Sequence, residues 1–303
     1  MTRRVALALL AATALALCGC SGRRPPRTVP SPVARRGRAK RPPLTTPPLP
    51  ATRPAREPRD YRVVHVFVAL CDNAHQGIVP VSAALGDGQN PRTNLYWGAM
   101  YGVKTFLRKA SGWQGAEVRC APQRPEILDR AAFRRGDLVL IAEAYDGRHM
   151  ATALSDFLLA ASGRHRIAIG VERGGVTVTV ETGGAADMVC FVGHNGLMEH
   201  ELNKLPAPAD APRPRCAVVL ACKSDAYFSK PLRQVGCLPL ITTTGLMAPE
   251  AYTLEAIVRT WADDGGATAV RSAAAAAYAR YQRCSLPAAM RLFHAGTPRP
   301  SGP

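Results

Sequence analysis

After residue 17 the chain has no apolar run approaching the ~20 residues that a membrane helix needs, so its body is not expected to span a bilayer. The common metal and nucleotide signatures are missing as well. There is no His-Glu-x-x-His, and no Cys-x-x-Cys follows the N-terminal segment. The cluster His194, Glu199, His200 and Glu201 lacks a zinc-enzyme spacing, and its last residues are expected to face solvent. The Gly86–Gly88 loop lacks the lysine of a phosphate loop. No metal and no cofactor is therefore expected. Internal repeats are absent too. Acidic residues are scarce, 22 Asp and Glu against 39 Lys and Arg, for a net charge of +17.

Much of that excess is concentrated in one place. Residues 21–60 hold eleven prolines, ten arginines and Lys40, opposed only by Glu57 and Asp60, a net +9. With Arg3 and Arg4 set aside as well, about +6 remains on residues 61–303. A nucleic-acid partner is therefore not expected. Anionic lipid headgroups or another envelope polyanion suit a basic tail better. A segment so poor in large apolar residues cannot offset its ordering entropy, so 21–60 reads as a disordered, extended stalk.

The N-terminus gives that stalk a context. Met1–Arg4 is short and basic, and Val5–Leu17 is an apolar run of thirteen residues, the length of a signal-peptide core. The run ends in Leu17–Cys18–Gly19–Cys20–Ser21, which resembles the bacterial lipobox. Cys20 fits the lipidated position, with Gly19 before it and Leu17 three back; Cys18 would put bulky Leu17 at the cleavage point. The alternative is an ordinary signal peptide cut beside a cysteine. The expected organisation is a lipoprotein signal at 1–19, a lipidated Cys20 and stalk to residue 60, an α/β domain over 61–290, and a flexible tail over 291–303. Such a chain is lipid-anchored in a bacterial cell envelope, facing the periplasm or the exterior.

Within 61–290 strand and helix patterns alternate. Val63–Leu70 (VVHVFVAL) is β-branched and apolar, and ends in the turn-forming Cys71–Asp72–Asn73. Thr93 is positioned to cap a helix through Tyr96, Met100, Val103 and Leu107, whose spacing shares one face. Strands are expected at 116–120 and 137–142, and a helix at 149–160. A hairpin is expected from 166–171 and 176–181. Asp187–Gly193 (DMVCFVG) and Cys216–Cys222 (CAVVLAC) are apolar enough to be buried on both faces, as in a parallel sheet. A helix near 226–234, a strand at 238–243 and helices over 249–262 and 267–282 follow. The alternation predicts a three-layer α/β fold with a mostly parallel central sheet flanked by helices.

In such sheets, sites gather beyond the carboxyl ends of the strands. One buried strand runs into Gly193–His194–Asn195–Gly196 and the other into Ala221–Cys222. A cysteine gains thiolate character beside a base, and an imidazole can protonate the leaving group. The stretches MVCFVGHNG and AVVLAC resemble the marks of the caspase-like cysteine peptidases (clan CD), which include caspases, legumains, gingipains and clostripains. The resemblance implies a caspase-like fold, His194 as general base and Cys222 as nucleophile. It also implies backbone N–H groups of Cys222 and Gly196 as oxyanion donors, with Asn73 or its neighbour Asp72 orienting the histidine. Two departures stand out: Asn195 is inserted between histidine and glycine, and the His194–Cys222 interval is short.

Simpler readings stand beside this one. A cysteine ending a buried strand is often a packed core residue or a disulfide partner, and a histidine there is often a turn residue. Tyr96, Trp97 and Tyr101 suit core packing better than a substrate cleft. Without Cys18 and Cys20, seven cysteines remain, an odd number that leaves one thiol over from three bridges. Cys190 and Cys216 lie in buried strands and suit a reduced, packed state. Two functions are thus in play: a membrane-anchored thiol hydrolase acting on protein or peptide, and a non-catalytic envelope lipoprotein that binds a partner or wall component. The oligomeric state is left open.

Overall fold

The computed structural model describes residues 61–296, apart from 119, 174, 203 and 211–213. Cys20, the expected lipidation site, and the expected signal and stalk lie outside the described residues. Strand β1 (Arg62–Ala69) is followed by a long irregular segment and helix α1 (Val103–Lys109). Strands β2 (Gln114–Ala116), β3 (Ile127–Arg135) and β4 (Leu138–Tyr145) precede helix α2 (Met150–Ala161) and the hairpin β5 (Arg166–Arg173) and β6 (Val176–Gly183). The chain continues through β7 (Met188–Val192), β8 (Cys216–Leu220), α3 (Ser224–Gln234), β9 (Leu238–Thr243), α4 (Ala251–Ala262), α5 (Ala267–Gln282), α6 (Leu286–Leu292) and β10 (Phe293–Ala295).

Eight of these strands form one sheet, in the order β10-β9-β8-β7-β1-β4-β3-β2. The five inner strands, β9, β8, β7, β1 and β4, run parallel, as buried β-branched runs predict. β2 and β3 extend one edge in antiparallel fashion, and β10 closes the other. Alternation along the strands divides the core. Met188, Cys190 and Val192 of β7, with Cys216, Val218 and Leu220 of β8, pack toward α1, α4, α5 and α6. Val189, Phe191, Ala217 and Val219 face α2, α3 and the β5–β6 hairpin. The result is a three-layer α/β fold with a mostly parallel sheet. No helix among the described residues is long and apolar enough to cross a membrane.

Several expectations need correction. The helix expected from Thr93 begins only at Val103. Asn94 turns its amide onto the backbone of Cys71, and any side chain at Gly98 or Gly102 would collide with the backbone of Arg92 or Trp97. The strand expected at 116–120 is β2, ending at Ala116, with an isolated bridge from Val118 to Val171. β3 escapes the pattern because charged residues interrupt it; the Arg130 side chain is nonetheless almost inaccessible, paired with Glu143. Residues 291–295, expected to belong to a flexible tail, lie instead in α6 and β10.

A polar network crosses the layer under α2. His65 on β1 meets Glu143 on β4 at 3.1 Å and accepts from the Gly183 N–H at 3.1 Å, tying the hairpin to the sheet. Arg130 Nε donates to Glu143 at 2.8 Å, so the buried carboxylate has two cationic or donor partners. Burial alone would raise the Glu143 pKa, but His65 and Arg130 outweigh it and hold the value down to about 2.

Candidate active site at the carboxyl edge of the sheet

β7 and β8 are neighbours, with Val192 paired to Leu220 in parallel register. The Gly193 N–H extends the ladder by one bond, to Leu220 O at 3.2 Å. His194 and Cys222 therefore each lie two residues beyond the same register pair. Gly193 holds φ +152°, and a Cβ there would stand 2.8 Å from Ala69 O, so a side chain is excluded where β7 leaves the sheet beside β1. Lys223, directly after Cys222, is left-handed at φ 52° and turns the chain into α3; its N–H is held by Gly245 O at 2.8 Å.

Asn195, the residue inserted into the His-Gly pair, joins the two loops. Its side chain is fully buried, donates to Cys222 O at 2.7 Å and accepts from the Leu197 N–H at 3.2 Å. The Gly196 N–H is given to His194 O at 3.0 Å, so it is not free for an oxyanion in this arrangement. The Cys222 N–H has no hydrogen-bond partner among the described residues.

His194 is buried, and its Nε2 lies 2.8 Å from Glu199 Oε1. A carboxylate there only accepts, so Nε2 carries a proton, and in the neutral ring the lone pair belongs to Nδ1. The same Glu199 oxygen accepts the Gly77 N–H at 2.8 Å, linking this turn to the segment after β1. Glu199 is partly exposed, as a solvent-facing turn predicts, but its carboxylate reaches back to the imidazole. The only sequence signal for it is a carboxylate one short turn beyond the histidine.

Asn73 sits elsewhere in this geometry. Its amide donates to Val81 O at 2.8 Å and accepts from the Val81 N–H at 3.0 Å, closing a loop rather than meeting His194. Asp72 is engaged with His75, Gln89 and the Ala74 N–H. Those bonds outweigh its burial and keep its carboxyl below the ordinary range.

Cys222 Sγ accepts from the Met247 N–H at 3.4 Å and lies 3.6 Å from Met247 O. It makes no hydrogen bond to His194. Tyr96 and Tyr278 lie within electrostatic reach of the thiol. Burial first, then Cys71 and Cys222, hold the Tyr96 phenol well above its ordinary value. Burial pushes the Cys71 thiol up to about 11, although Tyr96 eases it by a hydrogen bond. Tyr96 and Trp97 are core residues, and Tyr101 packs edge-on to Tyr252 and Tyr281.

All seven cysteines of the described residues are free thiols, so the three bridges that an odd count allowed are not formed. Cys190, Cys216 and Cys237 are buried together at the opposite end of β7–β9 from Cys222 or within those strands, and burial raises all three. No group of three or more His, Cys, Asp or Glu side chains among the described residues is arranged to hold a metal. An open cleft of about 320 Å³, lined by Leu197, His200, Glu201, Leu202 and Tyr227, lies beside the His194 turn without including His194 or Cys222. Comparison of the chain with family models, curated proteins and solved structures returned no match.

Proposed function

We propose that this chain is a membrane-anchored thiol hydrolase, a caspase-like cysteine peptidase with His194 as base and Cys222 as nucleophile. One observation carries the reading. Two reactive side chains leave adjacent parallel strands at the same level, at the edge where such sheets bind ligands, with their loops pinned by Asn195 to Cys222 O at 2.7 Å. Nδ1 of His194 takes the Cys222 thiol proton as sulfur attacks a substrate carbonyl. The imidazolium then protonates the departing amine, leaving a thioester. Water, deprotonated by the same nitrogen, releases the acid and restores the thiol. The Cys222 N–H is the available oxyanion donor. Sulfur and imidazole are not bonded to each other here, and catalytic hydrogen bonds often tighten only when substrate is bound.

Labelling with an electrophilic thiol probe, mapped to the Cys222 peptide, tests this. The label is expected to vanish in Cys222→Ala and to slow in His194→Ala. A Cys222 labelling rate indifferent to His194→Ala ends the peptidase reading.

The bonds from Cys222 Sγ to the Met247 backbone favour a second reading, a non-catalytic envelope lipoprotein on the same scaffold that binds a partner or wall component. Export and anchoring at Cys20 belong to both readings and rest on residues 1–21. Metabolic labelling with a fatty acid is expected to be lost in Cys20→Ala and kept in Cys18→Ala; the reverse pattern would move the anchor.

A further inference from the structure

We infer that Glu199, itself held by the Gly77 N–H, is the positioning residue of this site, fixing the ring of His194 so that Nδ1 is the basic nitrogen. The inference rests on the thiol-hydrolase reading above. Three observations meet at one carboxylate oxygen. Glu199 Oε1 accepts from His194 Nε2 and from the Gly77 N–H, both at 2.8 Å. The imidazole it holds is buried while the Glu199 side chain stays one-third exposed, so this carboxylate is the protein group that meets the ring at Nε2. Gly77 approaches so closely that a methyl group there would occupy the position of the Glu199 carboxylate. The obstructing atom is the tip of a flexible side chain, so Gly77→Ala should displace the carboxylate without rebuilding the backbone.

Gly77 is not a free-standing loop residue. Gln76, its neighbour, donates to Leu70 O at 2.8 Å and Gly147 O at 3.0 Å, and accepts from the Asp72 N–H at 3.3 Å. The segment after β1 thereby reaches the histidine beyond β7 through one carboxylate. A charge-assisted bond of this kind both selects the tautomer and stabilises the imidazolium formed when the thiol loses its proton. Glu199 touches neither substrate nor sulfur, so its effect passes entirely through His194.

Two readouts on the full chain test the inference. The first is the downfield imidazole N–H proton resonance expected from a buried ring bonded to a carboxylate, identified by its loss in His194→Ala. It should disappear in Glu199→Ala, weaken in Gly77→Ala, and persist at a changed position in Glu199→Gln, whose amide oxygen still accepts. The second is the rate of Cys222 alkylation by iodoacetamide. It should fall on the order of tenfold in Glu199→Ala, matching the loss of one charge-assisted hydrogen bond. Glu199→Gln should recover part of it. A merely structural role would instead lower the unfolding temperature and leave the resonance of the folded fraction intact. Survival of both the resonance and the alkylation rate in Glu199→Ala overturns the inference. If the resonance is lost but alkylation is insensitive to His194→Ala as well, the thiol-hydrolase reading falls, and the positioning role with it.

Discussion

Asn195 is the residue whose removal should separate the two loops of the site most cleanly. Its side chain is fully buried and makes two bonds, to Cys222 O at 2.7 Å and from the Leu197 N–H at 3.2 Å. Asn195→Ala leaves a carbonyl and an amide to find new partners, at a cost of about 1–3 kcal/mol. Asn195→Asp is the more informative change. It retains an acceptor for Leu197 but faces the Cys222 carbonyl with a second oxygen in place of a donor. That substitution should cost more than alanine does, with about 3 kcal/mol as the scale of an unpaired buried charge. Urea denaturation measures both variants, and the Cys222 alkylation rate reports whether the two loops still move together. If the aspartate variant proves as stable as wild type at neutral pH, the pin between the loops is not carrying strain or energy, and the argument from adjacency loses its main support.

Three other consequences can be measured directly. Glu143 has a folded pKa lowered to about 2 against an ordinary 4.5, so its contribution to stability is complete above about pH 4.5 and drains away as pH falls toward 2. Linkage puts that contribution on the order of 3 kcal/mol. Glu143→Gln should flatten the urea-stability profile in that acid window, and an unchanged slope would count against the network. Phe157 packs on Phe67, Phe191 and Phe228 at ring distances of 5.9, 5.7 and 6.3 Å. Phe157→Ala should cost about 3–5 kcal/mol in denaturant titrations, and a loss under 1 kcal/mol would contradict the packing. Gly193→Ala forces a methyl group against Ala69 O and a positive φ, so it should destabilise by about 1–3 kcal/mol, read as a lower melting temperature.

The legibility of the fold follows where its energy comes from. β1, β7 and β8 are apolar on both faces, so hydrophobic runs identify them without tertiary information. α5 (ATAVRSAAAAAYARYQ) is rich in the strongest helix former, and its pattern predicts the observed limits. β3 was not legible, because Asp129 and Arg130 become compatible with a sheet only through partners on other elements: Lys104 and Trp97 for the aspartate, Glu143 for the arginine. β9 carries Pro239, which has no N–H to donate, and the register with β8 shifts between Ala217 and Val218. His194 and Cys222 were legible as strand-end residues, since the end of an apolar run marks the edge of the sheet. Glu199 was not, because its meaning lies in a contact with Gly77 across 122 residues of sequence.

The segment between β1 and α1 shows how a site of this kind is held still without helices or strands. Side-chain amides replace the missing ladder. Asn94 accepts from the Cys71 N–H and donates to Cys71 O, copying the bonds of a neighbouring strand. Asn73 does the same to Val81. Gln89 donates to Asp72 at 2.7 Å and to Asp146 at 2.8 Å, joining the ends of β1 and β4. Each amide offers a donor and an acceptor in one plane, which is what an unpaired peptide group needs. The glycines at 86 and 88 belong to the same scheme: Asn73 and Asp72 press against their Cα atoms, leaving no room for side chains. The Gly86–Gly88 loop, which lacks the lysine of a phosphate loop, is thus a packing surface for two polar side chains. Its end product is a Gly77 N–H directed at the same Glu199 oxygen that accepts from His194 Nε2.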